Sequence, residues 1–413
     1  MTVELVVTER CNHRCIHCFN PDIPLSPEAP RHSADFDRVA DELSGCGVMK
    51  VIVTGGEPLE DKDTTLRFIR TFQSRGMQVS LNTNLTLMDR EFAERLSALG
   101  RVPFVFASLP STDRAACDSI TLTEGSYDAI MRGVSVCDSA GIDIGLNIVV
   151  SGRTRYCADD ICGLIAAHPS VKHVSLSPVV PPICDRSNAL YDIGTEDLLS
   201  IRDTLTEVHG RTGVSVGCSI PLPMCIVGDI PRIRDYGSMC SAGRSHCTVH
   251  YRSGMVTACA HDSREYGNIY DEHLGTIWRR MDDWRDDTYL EPECARCRAL
   301  PLCSGLCRMS GERLRASVSA MERIPSAEFP LIGDDEPLTM NPDILLRDES
   351  FGGVLFVENK YVLLRREAYR LVGELMGMGT FTVSGLDAVA VVDDSLRDAL
   401  SYLLRLGAVM RDA

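Results

Sequence analysis

Three cysteines near the start of the chain, Cys11, Cys15 and Cys18, stand in the pattern C-x3-C-x2-C directly after the first β-rich run. That spacing puts three thiolates on one short loop. Three ligands leave one iron of a [4Fe-4S] cube open to an exogenous ligand, whereas a cluster that only carries electrons normally has four protein ligands. Gly55-Gly56-Glu57-Pro58 follows the run Val51-Ile52-Val53-Thr54. Glycines let the backbone approach a neighbour closely, Glu57 adds negative charge, and Pro58 fixes the exit from the turn. A second field runs Cys240, Gly254-x4-Cys259, then Cys294-x2-Cys297-x5-Cys303-x3-Cys307, with no cysteine beyond Cys307. Zinc is the alternative for each group. A zinc ribbon of Cys294, Cys297, Cys303 and Cys307 would leave Cys240 and Cys259 without a role.

These residues need elements to position them, and 413 residues exceed one ordinary domain. With 44% apolar and 24% charged residues the chain can bury a large core, which excludes disorder as a general description. A net charge of −16, from 42 basic and 58 acidic residues, argues against a nucleic-acid binder that relies on neutralising phosphates. No apolar run is long enough for a membrane span, and no secretory signal pattern stands at the N-terminus. The expected location is therefore cytoplasmic. In a reducing compartment 18 cysteines do not form a disulfide framework, so clustered ones point to metal or iron-sulfur ligation.

From Val3 to about Ser219, β-rich runs (Val3–Val7, Val48–Thr54, Met77–Asn82, Val102–Ser108, Ile142–Val150, Val171–Ser177) alternate with amphipathic segments (Ala34–Leu43, Thr64–Arg75, Arg90–Leu99, Tyr127–Ser139). This βα repetition predicts a parallel sheet, and six strands predict a partial (β/α)6 TIM-like barrel with chemistry at the strands' C-terminal ends. Residues 220–323 lose the alternation around one helical segment, Asp271–Asp286, and need metal to hold them. Residues 324–337, with three prolines and an acidic triplet, read as a linker. Residues 338–413 form a small α+β domain of winged-helix type, with strands at Gly353–Val357 and Tyr361–Leu364 and helices near Glu367–Met376 and Ser395–Leu406.

The Cys11-Cys15-Cys18 and Gly55-Gly56-Glu57-Pro58 motifs resemble those of the radical SAM superfamily. The resemblance implies a cluster whose open iron binds S-adenosyl-L-methionine and cleaves it reductively to a 5'-deoxyadenosyl radical. It implies that Gly55, Gly56, Glu57 and Pro58 bind the cofactor, that Ser108 and Asn147 contact it, and that His17 fills the usual aromatic position before the third cysteine. Where many relatives carry an arginine for the methionine carboxylate, this chain has Thr121 ahead of Gly125-Ser126-Tyr127. Arg153 or Arg155 would then supply that charge.

The second cysteine field resembles the SPASM extension, which implies one or two auxiliary [4Fe-4S] clusters. By that resemblance Cys240, Cys259 and Cys307 serve the first, with Cys247 on the same segment as its natural fourth ligand. Cys294, Cys297 and Cys303 serve the second, whose last ligand is an open site, a non-cysteine group or a borrowed thiol such as Cys218 or Cys225. Most remaining cysteines, Cys46, Cys117, Cys137, Cys157 and Cys162 among them, read as small core residues. Cys184, Cys218 and Cys225 are candidates to return a hydrogen atom. His261 and Asp262 are the nearest candidates for a base.

The tail carries 11 acidic and 8 basic residues from Leu338 to Ala413, which weighs against reading DNA. Asn341–Arg347, Gly352–Phe356 and Leu406–Val409 resemble the PqqD-like domain, which implies a peptide leader added as a strand to a sheet edge. The reading is a peptide-modifying radical SAM/SPASM enzyme whose partners are a precursor peptide and an electron donor such as flavodoxin or ferredoxin. Its rivals are a radical SAM dehydrogenase or epimerase acting on a small molecule such as a sugar or cyclitol, and an iron-sulfur electron carrier.

Overall fold

The βα alternation folds into a sheet whose central strands run parallel in chain order. The computed structural model describes all residues except 19–35, 182–191, 228–239, 286–287, 298–299, 304, 321–331, 350–351, 358–359 and 413. Its sheet strands are β1 (Thr2–Thr8), β2 (Lys50–Gly55), β3 (Gln78–Thr83), β4 (Phe104–Ser108), β5 (Ile144–Val150), β6 (Val171–Pro178), β7 (Ser215–Gly217), β8 (His246–His250), β9 (Met255–Thr257) and β10 (Gly267–Asn268). Their order is β10-β9-β8-β1-β2-β3-β4-β5-β6-β7. β1 to β7 pair in parallel, and β8 adds in parallel to the free side of β1. β1 and β7 stay apart, so the barrel is open, as expected.

Helices α1 (Phe36–Gly45), α2 (Lys62–Ser74), α3 (Arg90–Ser97), α4 (Arg114–Thr121), α5 (Ser126–Ala140), α6 (Ala158–Ala167) and α7 (Thr195–Thr212) connect the strands. Their starts are set by side chains that satisfy otherwise orphaned amides. Asp61 accepts from Thr64 N (3.0 Å), Asp89 from Phe92 N (2.8 Å) and Asp113 from Ala116 N (2.7 Å). On α2 the buried residues Leu66, Phe68, Ile69 and Phe72 recur at helical spacing and seat the helix on the sheet.

Strand period two divides the sheet into an apolar and a more polar face. Val3, Leu5, Val51, Val53, Leu81, Val105 and Ala107 are fully buried in the core. The alternate positions put Glu4, Thr54, Ser80, Asn82, Ser108, Asn147, Ser175 and Ser177 on the other face, beside the apolar Val6, Ile52, Phe104, Phe106 and Val149. A face rich in hydroxyls and amides is suited to a polar ligand rather than to packing.

Tertiary contacts divide the chain into Met1–Arg323 and Ile324–Ala413. The cysteine-rich region therefore shares the first unit with the barrel, which β8 joins directly to β1. The expected helix Asp271–Asp286 is instead Leu274–Arg279 followed by a separate 3-10 turn, Asp282–Trp284. The last turn is closed by backbone bonds, Arg280 N to Ile277 O (3.0 Å) and Met281 N to Trp278 O (3.2 Å), and the side chain of Arg285 adds a further donor to the Trp278 carbonyl.

The tail unit holds β11 (Leu338–Met340), β12 (Leu345–Glu349), β13 (Gly352–Val357), β14 (Lys360–Arg365), β15 (Thr380–Phe381) and β16 (Val409–Arg411), with helices Arg366–Gly377 and Asp394–Leu406. They form two antiparallel sheets, β15-β11-β16 and β12-β13-β14. Leu338, Leu355, Leu375, Val383, Leu386, Leu400 and Ala408 fill a core of the unit's own.

Candidate functional site

The cysteine loop leaves the C-terminal end of β1 and is sewn to the end of β2. Gly56 N donates to Thr8 O (2.8 Å) and Glu57 N to Arg10 O (2.7 Å). A β-carbon on Gly55 would overlap the carbonyl of Thr8, and one on Gly56 would overlap that of Arg10 and lie 3.0 Å from the Cys11 β-carbon. Gly55 and Gly56 are therefore demanded by the backbone of the cysteine loop, a reason the sequence reading did not supply.

Glu57 also departs from expectation. Its carboxylate is fully buried and accepts from Leu59 N (2.9 Å), Thr83 Oγ1 (2.6 Å) and Asn84 N (2.6 Å). Burial raises its pKa to about 7, against the pull of those three donors. The side chain thus braces the ends of β2 and β3, and the acceptors left for a ligand ammonium are backbone carbonyls. Pro58 opens the 3-10 turn Pro58–Asp61 that Glu57 caps.

Sequence reasoning missed the segment after β3. The Asn84 amide donates to Asn12 Oδ1 (2.8 Å) and lies 4.0 Å from Cys11 Sγ, while Asn12 donates to Thr86 Oγ1 (2.9 Å). The run Asn82-Thr83-Asn84-Leu85-Thr86 at a strand end carried the signal: four polar residues around one leucine where a helix would begin.

The far side of the loop rests on α4. Arg14 N donates to Thr121 O (3.3 Å) and Ile16 N to Ile120 O (2.9 Å). Asp118 fixes the α4–α5 turn, accepting from Gly125 N (2.8 Å), Ser126 Oγ (2.8 Å) and Tyr127 N (3.0 Å). Buried Thr121 hydrogen-bonds Ser126 Oγ (2.7 Å), so this position supports the loop with its side chain turned to α5. Arg155 sends its guanidinium to Thr154 O (3.0 Å), and its own backbone ties to Ser111.

Burial raises Cys11 to about 11, with Glu57 and Cys18 adding to it, and raises Cys15 to about 12, with Cys11 and Cys18 adding to it. Three crowded, half-buried thiols become thiolates only against positive charge, and iron supplies it. The donor set fits an iron-sulfur cluster with one open position. His17, beside Cys18, is held neutral by burial, with a pKa lowered to about 4.

Ser108, the last residue of β4, is the register partner of Asn147 in the middle of β5, so the structure brings these two expected residues together. The polar row continues through Ser177, whose hydroxyl lies 3.4 Å from Asn147 Oδ1 and accepts from Ser219 N (2.9 Å). Buried Cys218 lies at its end, 3.9 Å from Ser177 Oγ. Of the three hydrogen-donor candidates, Cys218 is thus beside the polar face, Cys225 is among other cysteines, and Cys184 lies outside the described residues.

In the cysteine-rich region, Cys307 and Cys240 press on Cys259, whose thiol is raised foremost by burial. The expected fourth partner of this set, Cys247, is not among them. It pairs with Val3 in register and lies fully buried on the apolar side of β8, where burial raises its thiol and Cys46 adds to the shift. Period two decides this: His246 and Thr248 face the polar side, and Cys247 cannot. Glu4 and His246 form an ion pair (3.5 Å) on that polar side, and His250 pairs with Glu9 (3.8 Å). Burial opposes ionisation of Glu4, but His246, His261 and His250 together hold its pKa down. Asp262, the other base candidate, is raised by burial and accepts from Arg264 N (3.0 Å). Its charged neighbours are Arg264 and Asp283, away from the polar sheet face.

Cys294, Cys297 and Cys303 face one another, whereas Cys307 turns to Cys240. The zinc-ribbon alternative needs all four together, but Cys307 is linked electrostatically to Cys240 and Cys259, which a ribbon would leave without a role.

Known proteins match this arrangement. Residues 5–155 match the radical SAM superfamily, and residues 240–298 match SPASM, an iron-sulfur cluster-binding domain. The Fe-coproporphyrin III synthase of Methanosarcina barkeri is 30% identical over 145 residues, 35% of this chain and 36% of that protein. The AdoMet-dependent heme synthase of Nitratidesulfovibrio vulgaris is 24% identical over 335 residues, 75% of this chain and 88% of that protein. The GTP 3',8-cyclase of Staphylococcus aureus is 29% identical over 327 residues, 71% of this chain and 91% of that protein. Among solved structures, Streptococcus suis SuiB bound to precursor peptide SuiA aligns with a TM-score of 0.53 at 15% identity, over 69% of this chain and 64% of that one. Native anSMEcpe with bound AdoMet and Kp18Cys peptide aligns at 0.56 and 18% identity, over 76% and 91%. The chain thus spans about a third of the first of these proteins and most of the second, third and fifth. It carries a radical SAM domain followed by a SPASM domain, and its cofactors are S-adenosyl-L-methionine and [4Fe-4S] clusters. Among the described residues no helix is long and apolar enough to cross a membrane.

Proposed function

We propose that this chain modifies a ribosomally synthesised precursor peptide, by cross-linking, oxidation or epimerisation, with its PqqD-like tail holding the leader. When bound, the cluster and S-adenosyl-L-methionine supply a 5'-deoxyadenosyl radical able to take a hydrogen atom from carbon. Cys11, Cys15 and Cys18 hold that cluster, with Asn84 beside Cys11. Gly55 and Gly56 keep the loop close enough for carbonyls at the end of β2 to meet the methionine ammonium. Ser108 and Asn147, adjacent in register, offer a hydroxyl and an amide to the remainder of the cofactor. Cys240, Cys259 and Cys307 serve one auxiliary cluster, and Cys294, Cys297 and Cys303 serve another. Electrons come from a flavodoxin or ferredoxin.

The observation that carries the peptide reading is the sheet edge at β12. Among the described residues this strand pairs only with β13, and Leu345 at its start is 70% exposed. An unpaired edge with an apolar side chain beside it is what a strand-adding leader uses: backbone bonds for affinity and pockets for specificity. The similarity to a heme synthase and a GTP cyclase favours the second reading, a small-molecule substrate such as a sugar or cyclitol.

The test uses the reconstituted full chain and a synthetic peptide encoded by a short reading frame beside its gene. Leu345→Asp is expected to weaken peptide binding at least about tenfold, measured by fluorescence anisotropy, because it puts a charge where an apolar side chain docks. Deoxyadenosine formed without peptide stays at the wild-type rate. Equal binding by both proteins, or turnover of a sugar or cyclitol with no peptide, sinks the peptide reading.

A further inference from the structure

We propose that Cys225 is the fourth ligand of the cluster held by Cys294, Cys297 and Cys303. The inference rests on the cluster reading above and goes beyond it by closing that ligand set.

No cysteine follows Cys307, so a fourth thiolate must come from upstream. The short helix Met224–Val227 lies just beyond β7 and after Pro221-Leu222-Pro223. Its turn is fixed by Ile226 N and Val227 N, which both donate to Pro223 O (3.0 and 3.1 Å). It is docked against the cysteine-rich segment at one decisive contact: the amide of Met224 donates to Cys303 Sγ at 3.3 Å. The residue next to Cys225 is therefore hydrogen-bonded to a thiol of the set. Three thiols weigh electrostatically on Cys225, those of Cys303, Cys294 and Cys297, and Glu291 adds its charge beside Cys294. On the other side Cys297 N donates to Cys294 O (3.0 Å), the tight turn that lets two cysteines three apart address one cluster.

A cluster with four cysteine ligands has no open iron and is suited to electron transfer rather than to binding substrate. The Met224 amide adds a hydrogen bond to sulfur, which stabilises the more negative, reduced state and raises the potential. Because the helix Met224–Val227 continues from β7, the ligand also fastens the last barrel strand to the cysteine-rich region.

The test is made in the full chain with Cys11, Cys15 and Cys18 replaced by Ala, which removes one of the two other open irons; the Cys240-set cluster, with three cysteines, keeps the second, and its response to cyanide is common to every variant. That background should retain about 8 irons after anaerobic reconstitution, and cyanide should not change the electron paramagnetic resonance spectrum of its reduced Cys294-set cluster. Adding Cys225→Ala is expected either to lower the iron to about 4 or to leave about 8 with a cyanide-shifted signal from the newly opened iron. Adding Cys162→Ala, on α6, changes neither. Unchanged iron together with an unchanged, cyanide-insensitive signal from the Cys294-set cluster in Cys225→Ala overturns the proposal. A background protein with no iron overturns the auxiliary-cluster reading itself, and the proposal with it.

Discussion

Gly56→Ala is the most direct test of how the cluster loop is held. The added methyl meets the carbonyl of Arg10, which is backbone and cannot swing aside, and the β-carbon of Cys11 at 3.0 Å. Relief requires the loop to retreat from β2, which breaks the bonds Gly56 N to Thr8 O (2.8 Å) and Glu57 N to Arg10 O (2.7 Å). Two hydrogen bonds at about 1 kcal/mol each, with about 1–3 kcal/mol of overpacking, come to about 3–5 kcal/mol. That is a large part of the 5–15 kcal/mol typical of a whole protein, so the loop should withdraw locally before the unit unfolds. A displacement of about 1 Å at reacting groups costs on the order of a hundredfold in rate. Gly56→Ala should therefore lose about 4 of its irons and form deoxyadenosine at least about a hundredfold more slowly, while keeping the auxiliary clusters. Gly163→Ala on α6 provides the contrast: nothing lies within 4 Å of its β-carbon, and it should stabilise by about 0.5–1 kcal/mol. Full iron and a wild-type rate in Gly56→Ala would refute the argument that the glycine exists to admit the cysteine loop.

Three further perturbations follow from the same geometry. Glu57 has its folded pKa raised from 4.5 to about 7, so between those values the folded state keeps a proton that the unfolded state has lost. Its contribution to stability accordingly falls as pH rises from 4.5 to 7, by up to about 1.4 kcal/mol per pH unit, and Glu57→Gln should flatten that slope in urea unfolding. An unchanged slope would show that another group titrates. Cys247→Ala should keep the full iron content and lose only about 1 kcal/mol of packing, since this thiol is buried on the apolar side of β8 opposite Val3; a loss of about 4 irons would return it to the ligand set. Asp118→Ala strands the amides of Gly125 and Tyr127 and the hydroxyl of Ser126, and should cost about 1–3 kcal/mol in thermal unfolding. A melting temperature within a degree of wild type would sink the claim that this turn supports the cluster loop.

Much of the barrel was legible because its strands combine β-rich composition with strong apolar periodicity, and the six expected strands lie within about two residues of those observed. Three helices and β7 were not. α6 begins Ala158-Asp159-Asp160 and mixes cysteine, glycine and alanine, so its buried face is short: only Ala158 and Ile161 are buried. α4 is held by caps at both ends more than by a stripe, with Asp113 at its start and left-handed Leu122 (φ 53°) at its end. In the tail, β12 is missed because its residues Leu345-Leu346-Arg347-Asp348-Glu349 show no alternation, and it is a strand through pairing with β13. The site was legible where motifs repeat a chemistry, at Cys11, Cys15, Cys18 and Gly55–Pro58. It was not legible where a residue's role depends on which way a strand faces. Cys247 looks like a ligand by proximity in sequence, and only the register of β8 against β1 turns it away.

The same limit explains why Cys303 and Cys307, four residues apart in sequence, address different partners. On a continuous helix residues four apart share a face, so spacing alone would send both thiols to one cluster. The helix Leu300–Cys303 ends at Cys303, and Gly305 then adopts φ +74°, a left-handed conformation that a side-chain-bearing residue takes only at a cost of about 1 kcal/mol. That reversal turns the chain between the two cysteines, leaving Cys303 with Cys294 and Cys297 and carrying Cys307 to Cys240 and Cys259. Gly305 is also tightly enclosed: a β-carbon there would stand 3.0 Å from Leu290 Cδ2 and 3.8 Å from Cys294 Sγ. The partition of one run of cysteines into two ligand sets is thus decided by a backbone reversal at a residue that carries no chemistry of its own. A substitution at Gly305 should disturb both auxiliary clusters at once, where a substitution at any single cysteine disturbs one.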